Sequence, residues 1–478
     1  LQAGEERIAQ IVAEVLKKLQ PYLLPGQPAP DHLVAGAAPA NTPGEQGIFN
    51  DLEAALAAAK KAQAELMALA RDTREKIIAA IRQIFLENAE KLARLAVEET
   101  AMGRYEDKIV KNKNAALLTP GMEDLEQRVD AGTTGMIFSE RGPFGLIVSI
   151  EPTTNPVASP VNHGLAMIAA GNSVFFAPHP RAVKCCHEVV RLFNEAICKA
   201  GGPANLVVTT QEVSLDNVRR AMASPQVNLI VATGGHTLVE AALASGKKCI
   251  AGGPGNPPVV VDETADIELA ARNIILGASF DNNLLCIAEK EVFVVDQVAD
   301  ALLLAMQRQG NYVASNLEIQ QLTKLLVVDG KINSRFIGQN PSRILKEIGV
   351  RVGDEVRAVV MEVPLEHPLV TLEQLMPVLP VVRVKDFATA LKVSREVEHG
   401  FRHTAAIYTR DYTRAAAFAR AMEATLTVVN VPTYAGLGGE GIGKPTMTVA
   451  GPTGEGITSP RTYTRERNVV FGGQLTIV

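Results

Sequence analysis

At 478 residues the chain exceeds what a single core usually accommodates, since folded units run to about 100–200 residues, so two or three domains are expected. Hydrophobic residues make up 47% and charged residues 21%, which excludes a largely disordered chain and allows sizeable cores. With 47 Lys and Arg against 52 Asp and Glu the net charge is −5, so there is no global basic field to collect phosphate backbones, and no nucleic acid partner is expected.

In the first twenty residues Ile8, Ile11, Val12, Val15, Leu16 and Leu19 recur at three- and four-residue intervals, which predicts a helix with one apolar stripe. Residues 21–47 are rich in Pro, Ala and Gly and read as an extended linker without a core of its own. A short amphipathic helix on such a tether either packs back on the main body or docks on a partner. From Gly47 to about Met122 the periodicity is helical, as in Leu52–Leu69 and in the stripe Ile77, Ile78, Ile81, Ile84 and Phe85.

Short apolar runs then alternate with helical segments: 144–150, 173–179, 205–210 and 228–233, followed by 257–262, 290–296, 357–363, 379–384, 404–409 and 425–431. Buried-type strands alternating with helices imply parallel sheets covered on both faces, here in two α/β domains. The residues after about Thr446 are Gly- and Thr-rich and suit a strand or loop extension that packs on a neighbour. No stretch approaches ~20 uninterrupted apolar residues, and no basic region leads into a short apolar core near the N-terminus, so neither a membrane span nor a secretory signal is expected.

The five cysteines, at 185, 186, 198, 249 and 286, form no C-x-x-C pair and no Cys/His zinc spacing, which suits a reduced, cytoplasmic chain with no metal site. Gly438 to Lys444 has the G-x4-G-K spacing of a phosphate loop, but Pro445 stands where Ser or Thr is needed for Mg²⁺, so a flexible site-lining loop is expected instead. A buried strand running into Thr233, Gly234 and Gly235 before a helix offers free N–H groups to a pyrophosphate; the alternative is an ordinary strand-to-helix turn. Cys286 stands just ahead of the strand at 290–296, behind Asp and Asn residues, as a nucleophile at an element end would; a lone cysteine is otherwise more often inert core. Asn155, in the Pro-bounded turn 152–156, supplies an amide suited to stabilising an oxyanion.

These features together resemble the aldehyde dehydrogenase superfamily, and within it the CoA-acylating propionaldehyde/acetaldehyde dehydrogenases of bacterial microcompartments. The stretches AVEETAMGRYEDKIVKN (96–112), GPFGLIVSIEPTTNP (142–156), AAGNSVFFAPHP (169–180), AGGPGNPPVVVD (251–262), SFDNNLLCIAEKEVF (279–293), HPLVTLEQLMPVLPVV (367–382), HGFRHTAAIY (399–408) and PTGEGITSPRTYTRER (452–467) carry the likeness in order along nearly the whole chain.

The resemblance implies a fold with two doubly wound parallel-sheet domains and a small β oligomerisation element. It divides the chain into an encapsulation helix (1–20), a linker (21–47), an NAD-binding domain (48–252, with an oligomerisation hairpin at 123–141), a catalytic domain (253–445) and an oligomerisation extension (446–478). It further implies Cys286 as nucleophile, and Asn155 with the Cys286 N–H as oxyanion donors. Thr233 and Gly234 would lie beside the pyrophosphate, Glu373 at the nicotinamide ribose, and Pro178 in the cofactor site. NAD is the implied cofactor and coenzyme A the co-substrate, with a homodimer or homotetramer as the assembly.

Two departures from the wider family stand out. Hydrolytic relatives read E-L-G-G-K-N-P where this chain has Ala251 to Pro257, so the Glu that activates water there is replaced by Ala251. Ala177-Pro178-His179 replaces Lys-Pro-Ser, whose lysine contacts the adenosine ribose. The implied activity is NAD-dependent oxidation of acetaldehyde or propionaldehyde to acyl-CoA; the rivals are a hydrolytic dehydrogenase using another base, and a silent scaffold. The tail at 1–20 would dock on microcompartment shell or cargo, so deleting it should preserve soluble activity and abolish co-purification with shells, and retained packaging would refute that role.

Overall fold

The computed structural model describes residues 46–438 and 442–473. The helix expected at 1–20, nearly all of the linker, and the middle of the Gly-rich loop at 438–444 lie outside the described residues.

A helical stretch comes first, as the periodicity predicts: Leu52–Ala68, Arg71–Glu87, Ala89–Thr100 and Tyr105–Leu118. In the first three, apolar positions three and four apart bury one face, with Ile77, Ile78, Ile81 and Phe85 inside, whereas the fourth buries Lys108, Lys111 and Asn112 beside Ala115 and Ala116. Phe85 meets Phe193 with ring centroids 4.6 Å apart, tying this layer to the helix Val183–Lys199.

Behind these helices lies a six-stranded, wholly parallel sheet, in spatial order Ile48–Phe49, Val207–Thr210, Ser173–Pro178, Leu146–Glu151, Leu229–Thr233 and Cys249–Gly252. The strand Leu146–Glu151 is buried along its whole length. From it the chain winds outward to one side and then returns to the other, which opens a crevice at the carboxyl ends of Leu146–Glu151 and Leu229–Thr233, where open α/β sheets bind ligands. The turn 152–155, Pro178 and Thr233 all stand at that edge.

The second sheet has seven parallel strands in the order Tyr312–Val313, Val359–Glu362, Val378–Val384, Glu291–Val295, Pro258–Val261, Thr404–Tyr408 and Leu426–Val429. Its carboxyl edge is filled by protein: Thr409 donates to Asp262 at 2.6 Å, and Arg414 pairs with Asp262 at 3.2 Å and Glu263 at 2.7 Å. The segments holding Gly255, Cys286 and His403 instead meet its amino edge. The candidate site therefore lies where the carboxyl edge of the first sheet faces the amino edge of the second.

A third, antiparallel sheet pairs the hairpin Arg128–Gly132 and Gly135–Pro143 with the late strand Thr464–Gly472. Val129, Ile137, Val469, Val470 and Phe471 remain exposed on it. The segment following Thr446 divides in its contacts: Ala450 and Tyr463 are buried in the core of the first sheet, and only the last strand joins the hairpin.

Asn172 fastens that arrangement. Its Oδ1 accepts from Gly145 N at 3.0 Å, and its Nδ2 donates to Met167 O at 3.1 Å and Tyr463 O at 3.0 Å, all out of water. Asn172→Ala strands the Gly145 N–H and the Tyr463 carbonyl, while Met167 O keeps its bond from the Asn172 backbone N–H at 3.0 Å, and should destabilise the fold by about 2–4 kcal/mol, seen as a lower thermal midpoint.

Candidate active site

The turn that delivers Cys286 is held in an unusual backbone. Asp281, Asn282 and Asn283 are consecutive left-handed residues, with φ of 48°, 54° and 64°. Asp and Asn tolerate this region better than other side-chain-bearing residues, yet each still carries a cost, so neighbours must hold the turn. They do: Asn282 Nδ2 donates to Gly338 O at 2.9 Å and Asn340 Oδ1 at 2.7 Å, while Asn283 Nδ2 donates to Ala278 O and Glu289 O, each at 2.9 Å. Lys290 Nζ closes the loop on Asn283 O at 3.1 Å and Leu285 O at 3.3 Å.

Asp281 also ties this turn to the first domain. Fully buried, it accepts from Lys108 Nζ at 3.0 Å and Arg104 N at 2.8 Å, and it pairs with Lys111. Burial alone would push its carboxyl up, but Lys108 and Lys111 hold it below the usual carboxylate range. Lys111 Nζ in turn donates to Asn155 Oδ1 at 2.6 Å. One buried ammonium thus joins the Asn155 amide to the start of the cysteine turn.

Cys286 is partly accessible, whereas Cys185, Cys186 and Cys249 are buried and Cys198 lies exposed on a helix away from the site. Burial, followed by the nearby Glu373 carboxylate, pushes the Cys286 thiol up to about 12; Lys290 and the N–H groups of Cys286 and Ile287 act in the opposite direction. At neutral pH the resting cysteine is a thiol. Glu373 accepts from Gly255 N at 3.2 Å. A Cβ at Gly255 would come within 2.5 Å of Cys286 O and 3.2 Å of His403 Cγ, so only glycine lets these three segments meet.

His403 is buried, with Nδ1 2.9 Å from Thr404 Oγ1 and Nε2 without a protein partner. Burial and Lys290 push its pKa down to about 4, so the ring is neutral. Burial likewise pushes Lys290 down to about 8, against Glu373. Glu289 is turned toward Thr433, accepting from its N at 2.8 Å and Oγ1 at 2.9 Å, and burial pushes it up to about 7.

At the crevice of the first sheet Gly234 N donates to Gly252 O at 3.1 Å, and the Thr233 and Thr448 hydroxyls lie 2.5 Å apart. The helix His236–Leu243 begins at Gly235 with no side-chain cap, and a Cβ on Gly235 would meet nothing within 4 Å. Leu238 N in its first turn donates back to Gly235 O at 3.0 Å, and the uncapped helix start beside open space at Gly235 fits a dinucleotide pyrophosphate. Pro178 ends the neighbouring strand, opposite Glu151. Beyond it His179 Nδ1 accepts from Arg181 N at 3.1 Å.

Ala251 is fully buried in its strand and has no group to take a proton. Lys444 is bound at 2.5 Å to Asp124, which also accepts from Ser459 Oγ and Arg461 N, so this lysine serves a loop-closing contact. Among the described residues no group of three or more His, Cys, Asp or Glu is arranged to hold a metal ion.

The structure brings Cys286 and Glu373 together, links Asn155 to the cysteine turn through Lys111, and puts Thr233, Gly234 and Pro178 along the facing edge. The sequence reading missed Lys111, Asp281, Gly255 and Lys290. A usable signal existed for Asp281, since an Asp-Asn-Asn run is the composition that left-handed turns favour.

Comparison with known proteins accords with this geometry. The aldehyde dehydrogenase family model matches residues 45–319 and 345–443, and the chain belongs to that family. Acetaldehyde dehydrogenase (acetylating) EutE of Escherichia coli K12 is 42% identical over 99% of this chain and 100% of its own length. The structure of Rhodopseudomonas palustris propionaldehyde dehydrogenase with bound CoA and an acylated cysteine superposes with a TM-score of 0.89 at 43% identity, covering 91% of this chain and 100% of that one. A propionaldehyde dehydrogenase from the Clostridium phytofermentans fucose utilisation bacterial microcompartment gives 0.89 at 42% identity, covering 90% and 100%.

The Glu373 carboxylate opposes ionisation of Cys286, so Glu373→Gln should lower the thiol pKa and raise the thiolate fraction at any pH below it. Iodoacetamide should then alkylate Cys286 several-fold faster at pH 8 in the cofactor-free enzyme; an unchanged or slower rate would show that the carboxylate does not act on the sulfur.

Proposed function

We propose that this protein oxidises a short-chain aldehyde, acetaldehyde or propionaldehyde, with NAD and transfers the acyl group from Cys286 to coenzyme A. The carrying observation is the pairing of a cysteine on an over-determined turn with Ala251, where a water-activating carboxylate would otherwise stand. The names of the acetylating and CoA-bound relatives support the same acceptor.

Cys286 gives up its proton to solvent and its sulfur adds to the aldehyde carbon. Asn155 Nδ2 and the Cys286 N–H donate to the oxygen as it becomes an oxyanion. When bound, the nicotinamide supplies the hydride acceptor, and Thr233, Gly234, Glu373 and Pro178 hold the dinucleotide. Collapse of the oxyanion leaves a thioester on Cys286. Ala251 offers water no base, so the thioester persists until the thiol of CoA attacks; its sulfur takes the acyl carbon and Cys286 leaves as thiolate. His403, neutral and with Nε2 free of protein partners, fits the role of accepting the CoA proton.

The exposed apolar residues on the sheet completed by Thr464–Gly472 suit a homodimer or homotetramer contact. Among the described residues no helix is long and apolar enough to cross a membrane. The amphipathic stretch at 1–20 and the microcompartment origin of one relative support residence inside such a compartment, reached through a shell or cargo contact.

With propionaldehyde and NAD, steady NADH production should require CoA, with ping-pong kinetics and propionyl-CoA as the product by mass spectrometry. Cys286→Ala should abolish it. Sustained turnover to propionate without CoA would mean that another residue activates water.

A further inference from the structure

We infer that Lys111 is a positioning residue that sets the polarity of the oxyanion-binding amide. The inference rests on the reading of Asn155 as an oxyanion donor. A side-chain amide carries donors at one end and an acceptor at the other, and only Nδ2 can stabilise a negative oxygen. Half a turn about the terminal torsion would exchange the two ends and present Oδ1 to the substrate, repelling the charge that has to form there. The neighbour of Asn155 decides between these orientations.

That neighbour is Lys111, pushed down by burial to about 8 and so mainly ammonium at neutral pH, a form that donates and cannot accept. Lys111 Nζ lies 2.6 Å from Asn155 Oδ1, and the reversed amide would set its N–H groups against a cation. Nδ2 is left with one long contact, to Thr154 Oγ1 at 3.3 Å, a hydroxyl that can be exchanged for a stronger acceptor. Lys111 has little freedom of its own: its side chain is 4% exposed and paired with the fully buried Asp281. Asp281 is anchored in turn by Lys108 Nζ and Arg104 N. At that burial little solvent reaches the ammonium to replace the bond, so losing it releases the amide.

The charge count makes the residue testable. Lys108, Lys111 and Asp281 sum to one positive charge, and removing Lys111 leaves Lys108 and Asp281 as a neutral pair at 3.0 Å, so Lys111→Met retains a balanced interior. Because the oxyanion forms only after the aldehyde has bound and the sulfur has added, the loss should fall on kcat and spare the KM for aldehyde. Lys111→Met should lower kcat by about ten- to a hundredfold, approaching the roughly 10²–10³-fold loss expected of Asn155→Ala.

In the Asn155→Ala background no amide remains to be oriented, so Lys111→Met should cost no more than about twofold beyond the single variant. The iodoacetamide alkylation rate of Cys286, which reports the nucleophile turn, should stay within about twofold of the parent. Lys111→Gln, too short to reach Oδ1, is read in the same way should Lys111→Met fail to fold.

Near-normal turnover of Asn155→Ala would remove the underlying reading. A disabled Asn155→Ala beside a near-normal Lys111 variant would overturn this inference alone. So would losses that multiply in the double variant, or a fall in alkylation that parallels the fall in kcat, since either would place Lys111 in general support of the fold or of the cysteine turn.

Discussion

The buried charge cluster of Lys108, Lys111 and Asp281 is the constraint on which the rest of the site depends. Ionised groups out of water are tolerated only when paired and fully hydrogen-bonded, and removing one partner is far costlier than never having built the pair. Asp281 satisfies this condition with two ammonium groups and a backbone N–H drawn from the segment 104–111. The cost of burying it is thereby converted into geometry. A helix of the first domain, the oxyanion turn and the nucleophile turn are fixed to a common point, although the residues involved are separated by up to 177 positions in the chain.

The two sheets contribute unequally. The first works at the edge that α/β topology favours for ligands, with an uncapped helix start and adjacent glycines ready for phosphate. The second has that edge closed by Asp262, Thr409 and Arg414, and offers the segments at its amino edge instead. Burial and the nearby Glu373 carboxylate keep Cys286 protonated in the resting state, which protects an accessible thiol from adventitious chemistry until its environment changes.

Much of this was legible in the chain itself. Short apolar, buried-type runs marked the strands from 144 to 431, and the Pro-bounded turn at Asn155 and the position of Cys286 before a strand drew the eye to the chemistry. The buried lysines were not legible, because Lys108 and Lys111 in isolation read as the polar face of a surface helix. Only the distant Asp281 turns that face inward. Gly255 was hidden for a related reason, since its need is set by Cys286 and His403, which approach it from segments far away in sequence. Local pattern reports periodicity and turn chemistry, whereas a charge balanced across domains leaves no local trace.

The placement of Ala450 and Tyr463 within the first core bears on how the molecule is made. During synthesis the strands and helices between residues 48 and 252 leave the ribosome early, yet two of their packing partners and the acceptor for Asn172 arrive some two hundred residues later. The second domain sits between these pieces in the chain and folds from contiguous sequence. The nascent first domain therefore waits with an unfilled core while its neighbour completes, a period in which exposed apolar surface invites chaperones and aggregation. Loss of a short C-terminal stretch would for the same reason unsettle the N-terminal half of the enzyme.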